Sequence, residues 1–141
     1  MASPSQDSSL TPAELTLVAD GELFRAKERI ILKVRDLLTE LQAGLQEDLS
    51  RTALLVPPGF DPSKMQVVKG ERLEECPYQY LDYPKHFLGD DKFTFRSLCW
   101  WGHHLVFAII VEGGQAKQCK KNFFDRFPQL AGQGLELSLA P

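Results

Sequence analysis

The chain is expected to fold as α+β: a mostly antiparallel sheet of four to five strands packed against a long N-terminal helix, with a short C-terminal helix. Three observations predict this. Apolar residues recur at helical spacing through the first third of the chain. The pattern turns extended after a proline-rich break. The extended segments then follow one another through short turns, which favours antiparallel pairing over crossover connections. With 141 residues, 43% of them hydrophobic and 25% charged, residues 11–141 are expected to form a single domain.

Residues 1–10 are polar and Ser-rich and read as a disordered tail. Thr11-Pro12-Ala13-Glu14 reads as a helix start, with Thr11 as cap, Glu14 closing a capping box and Pro12 losing no needed donor. Asp20-Gly21 either caps a second helix or turns a hairpin between Leu15–Ala19 and Leu23–Ala26; the helical reading is favoured. From Glu22 to Leu49, the residues Ile30, Val34, Leu37, Leu38, Leu41, Leu45 and Leu49 mark an amphipathic helix of about seven turns. Its apolar stripe suits a sheet better than a helix–helix dimer seam, because sustained flanking charge pairs are absent.

Pro57-Pro58-Gly59-Phe60-Asp61-Pro62 must be a loop. Met65–Gly70, Tyr78–Tyr83, Phe93–Trp101 and Leu105–Glu112 read as strands, the last two joined around Gly102. Leu105 to Val111 has no polar alternation, so a central strand covered on both faces is expected there. Gly113-Gly114 ends it. Ala116, Cys119, Phe123, Phe124 and Phe127 stand at helical spacing, with Pro128 as the stop. Leu135, Leu137 and Leu139 alternate with polar residues, as a final half-buried strand would.

The formal net charge is −3. Residues 1–49 hold 5 basic and 9 acidic side chains and the remainder 11 and 10. Neither part is basic enough to neutralise several phosphates, so nucleic acid is not an expected partner. The three cysteines, at 76, 99 and 119, lack a C-x-x-C pair, which argues against structural zinc and for a reducing, cytoplasmic setting. Met1 to Ser9 has no signal-peptide pattern, and no apolar run approaches the roughly 20 residues of a membrane span. No cofactor and no metal are expected.

Lys69-Gly70-Glu71, Pro77-Tyr78, Leu81-Asp82-Tyr83-Pro84-Lys85 and Trp100-Trp101-Gly102 resemble a pattern in a family of small bacterial proteins to which no activity is assigned. The resemblance implies a bacterial, cytosolic α+β domain and carries over no catalytic residue.

Nine of the 14 aromatic residues lie between positions 78 and 107, together with all three histidines. Trp100, Trp101, Tyr80 and Tyr83 are candidates for lining a ligand pocket or a homodimer surface, since Tyr and Trp pair an apolar body with a polar tip; an aromatic core is the plainer reading. Adjacent strand residues face opposite ways, so Trp100 and Trp101 are not expected to share a face. His103 or His104 with Asp82 as orienting partner, or His86 in their place, would make an acid–base pair; the plainer reading puts the histidines at a hairpin end and Asp82 at a turn. Cys99 reads as a small buried hydrophobe rather than a nucleophile. Gly113-Gly114 at a helix start is a weak anion-site signal. The expected function is a non-enzymatic binding or interaction module, with a homodimer or a small-molecule ligand as partner. The alternative is a small-substrate enzyme using the His/carboxylate pair.

Overall fold

The computed structural model describes residues 8–138. Helix α1 (Pro12–Ala19) opens with the complete capping box: Thr11 Oγ1 accepts from the Glu14 backbone N–H, and the Glu14 carboxylate accepts from the Thr11 N–H. Asp20 caps the next helix through the Leu23 N–H, so the helical alternative forms and the hairpin does not. Helix α2 (Gly21–Leu49) spans 29 residues, one residue more than expected at its start.

Four strands follow: β1 (Gln66–Leu73), β2 (Cys76–Leu88), β3 (Asp91–Trp100) and β4 (Leu105–Glu112). They form one antiparallel sheet in the order β1-β2-β3-β4. Helix α3 (Gly114–Asp125) and the one-turn α4 (Phe127–Leu130) complete the α+β arrangement.

Register assigns every side chain to a face. Gln79, Leu81, Ser97, Cys99, Leu105 and Phe107 share the inner face, where α2 packs; Tyr78, Tyr80, Asp82, Arg96, Leu98 and Trp100 share the outer one. A one-residue bulge in β2 between Asp82 and Lys85, containing the cis Tyr83–Pro84 peptide, restores alternation with His86 inward opposite Phe93. The core is small. Leu38 of α2 meets Leu81 and Tyr83, and Val34, Leu41, Leu45 and Leu49 pack around them. The buried Gln79 amide donates to the Ile31 carbonyl of α2 at 2.9 Å.

The structure departs from expectation in four places. First, β4 is an edge strand, not a central one. An up-and-down meander puts its last strand at the edge, and α2 covers the β2 side, so Leu105, Phe107 and Ile109 are each about 60% exposed. Second, residues 135–138 form no strand: Leu135 and Leu137 are exposed and pair with no ladder. Leu139 and residues 1–7 of the expected tail lie outside the described residues. Third, Pro128 stands in the first turn of α4 instead of stopping a helix, because its missing donor costs nothing there. Fourth, β3 ends at Trp100, and Trp101 belongs to the turn carrying Gly102, His103 and His104.

The two edges differ. β1 carries Lys69, Glu71 and Arg72 and a bulge between Gly70 and Leu73. β4 has Glu112 as its single charge, no proline, and an unbroken register with β3.

Candidate functional site

The aromatic residues divide between the two faces into separate pairs. On the outer face the Tyr78 and Tyr80 rings lie parallel, 6.1 Å apart, and the Arg96 guanidinium sits 4.0 Å from the Tyr80 centroid. Trp100 anchors the end of this face: its indole N–H donates to the Leu73 carbonyl at 2.9 Å, and the His103 ring stacks on it at 3.8 Å. On the inner face Phe95 stacks with Phe107, and Phe60 from the proline-rich loop covers Phe93 and His86.

Of the four residues expected to line a ligand surface, Tyr80 and Trp100 therefore share the outer face. Tyr83 is enclosed in the core, and burial raises its phenol above the ordinary value. Trp101 lies against α2 with Ile31, Lys69, Gly70 and Gln79, in a cleft with no room for a water molecule. Its indole nitrogen and the Gln79 Oε1 are both buried without a partner.

The acid–base candidates are not brought together. Asp82 is 1% exposed, and both its oxygens accept from Arg96 at 2.8 Å. This fork-to-fork pair holds the guanidinium above its ordinary pKa, chiefly through the hydrogen bond to Asp82. His86 is buried on the opposite face beside Phe60, with Nε2 unpartnered. His103 and His104 are exposed at the β3–β4 turn. Glu112 pairs with Lys92. Cys99 is half-buried and burial pushes its thiol up, away from the thiolate a nucleophile needs. At the Gly113-Gly114 helix start, the Gly114 N–H donates to the Asp91 carboxylate at 3.1 Å, so an internal anion already occupies that position. Among the described residues no three His, Cys, Asp or Glu side chains converge as a metal set would.

Arg96 went unnoticed in the sequence. Its signal was hairpin symmetry: Asp82 and Arg96 lie nearly equidistant from the Gly89-Asp90 turn, which makes them cross-strand neighbours.

The inner face is open at the edge strand β4, where Leu105, Phe107 and Ile109 lie side by side and exposed. On α2, Ile31 reaches Lys69, Gly70 and Glu71 on the β1 side, while Ile30 and Leu37 are exposed. An apolar depression, open and about 200 Å³, lies at α3 and is lined by Leu55, Cys119, Asn122, Phe123, Arg126 and Leu130. Comparison of the chain with protein-family models, curated proteins and solved structures finds no match to any of them.

Proposed function

We propose that this protein is a non-enzymatic interaction module that works through its open apolar surface, as a homodimer, rather than through a ligand pocket. One observation carries the reading. Among the described residues, Leu38, Leu81 and Tyr83 are the buried large hydrophobics, while 23 large hydrophobics are exposed. A contiguous apolar face left open to water marks an interaction surface. The separation of Asp82 from all three histidines, and the closed cleft at Trp101, remove support from catalysis and from small-ligand binding at those positions.

Native mass spectrometry of the purified chain tests this. The expected result is a multiple of 15.9 kDa with no small-molecule adduct. A bare monomer up to about 100 μM, a range in which even weak dimers associate, would sink the reading. A monomer carrying one small molecule per chain would replace it with ligand binding.

A further inference from the structure

Helices α3 and α4 carry a charge pattern that the rest of the chain does not share. Residues 114–130 hold Lys117, Lys120, Lys121 and Arg126 against a single acid, Asp125, whereas the remainder of the chain holds 12 basic and 18 acidic side chains. Gln115, Ala116 and Cys119 are the half-buried residues of α3, whose neighbour in the sheet is β4. Phe124 stands well around the helix from them and is 84% exposed, the most open aromatic ring among the described residues. At about 100° per residue, Lys117 and Lys121 lie about 20° and 60° to one side of Phe124 and Lys120 about 40° to the other. Lys121 pairs with Asp125 at 3.5 Å. Lys117, Lys120 and Arg126 pair with no carboxylate among the described residues. Phe127 of α4 adds a second open ring, 65% exposed.

A single exposed apolar side chain is ordinary. A phenyl ring centred among lysines whose charges are unspent is a combination with a narrower use. Lysine is depleted from the cores of protein–protein interfaces, so a ring surrounded by three of them makes a poor hot spot for a protein partner. Four cations are few for a phosphate backbone, which is held by neutralising many phosphates at once. A lipid surface with anionic headgroups accepts both parts together. Lysine stems reach outward and keep their ammonium groups at headgroup level, while the ring between them enters the acyl boundary. No helix among the described residues is long and apolar enough to cross a bilayer, so the contact is peripheral.

We propose that α3 and α4 form a docking surface for an anionic lipid bilayer, with Phe124 as the inserted anchor and Lys117, Lys120, Lys121 and Arg126 as headgroup contacts. Charge complementarity carries the choice of partner: a chain of formal net charge −3 concentrates its basic excess around its most exposed ring. The surface is independent of the homodimer reading and is present on one chain or on a pair.

Co-flotation of the purified chain with vesicles tests this. Phosphatidylcholine vesicles containing about one-third phosphatidylserine should bind the chain at least about tenfold more tightly than phosphatidylcholine alone, and about 0.5 M salt should release most of it. Phe124→Ser and the triple variant Lys117→Gln, Lys120→Gln, Lys121→Gln alter exposed positions, so both should keep the native far-UV circular dichroism. Each should weaken binding to the anionic vesicles by about tenfold. Phe124→Trp should restore it, since Trp suits the bilayer interface. Absence of binding to anionic vesicles at low salt overturns the proposal. So does binding that ignores Phe124→Ser, which would be adsorption by charge alone, and so does tighter binding to a single-stranded oligonucleotide than to the vesicles, which would make the patch a phosphate-backbone contact.

Discussion

At the residue scale the Asp82–Arg96 pair is the group whose removal should cost most. Asp82 is enclosed, and its carboxylate has both oxygens satisfied by one side chain. Arg96→Ala leaves that charge buried and unpaired; the expected loss is about 3 kcal/mol, the low end for a buried pair because Arg96 still reaches solvent. A fall in the urea midpoint at constant slope would report it, and an unchanged midpoint would show that water replaces the guanidinium. Tyr83 gives a pH dependence of defined sign. Its folded pKa lies above the unfolded value of about 10, so the unfolded chain loses the phenolic proton first. The resulting contribution is complete below about pH 10 and is lost as pH rises through the folded value. Cys99 acts in the same direction from its own lower reference value. Tyr83→Phe should therefore flatten the alkaline limb of a stability–pH curve; a limb of unchanged steepness would place the titration elsewhere.

At the element scale, legibility followed the strength of the local signal. The α2 stripe and the Thr11 capping box are dense, short-range patterns, and both elements form within a residue of where the sequence puts them. The β1–β2 hairpin was the least legible connection. Its two turn residues, Glu74 and Glu75, both have positive φ (48° and 67°), a conformation that normally announces itself as Asn-Gly. Nothing in Glu-Glu signals such a turn, so β1 and β2 read as shorter strands than they are. The mismatch is testable. Glu75→Gly relieves a left-handed backbone at a site with few other constraints, and should raise stability by about 1 kcal/mol in urea unfolding. A loss instead would mean that the Glu75 side chain has a role of its own. Gly70 is the converse case: a Cβ there would lie 2.4 Å from the Tyr78 ring. Gly70→Ala should cost about 1–3 kcal/mol by the same measurement, unless the Tyr78 ring swings off its stack with Tyr80.

At the scale of the whole molecule, fold class was readable and placement within the fold was not. Period and punctuation identify strands, but the purely apolar stretch Leu105–Val111 reads the same whether the strand is central or is an edge covered by something outside the chain. Sheet order decides, and sheet order is a non-local property. The same ambiguity hid the exposure of Leu105, Phe107 and Ile109, which arises because α2 packs on the β2 side of the sheet face. The acid–base candidates suffered similarly: Asp82 and His86 are close in sequence but are parted by pleat and bulge, and His103 and His104 lie at the β3–β4 turn. With so few enclosed apolar residues, folding and association should be linked, so the thermal midpoint should climb with protein concentration. A midpoint constant over a hundredfold dilution would show that the isolated protomer is self-sufficient. The contrast between the sheet edges then has a consequence for how far assembly can go. A strand edge that is open on both sides of a sheet recruits without limit and makes filaments. Here the β1 edge carries a bulge and charges of both signs, whereas β4 has Glu112 as its single charge. In the proposed homodimer β4 would be used once, so growth would terminate at a closed pair instead of propagating.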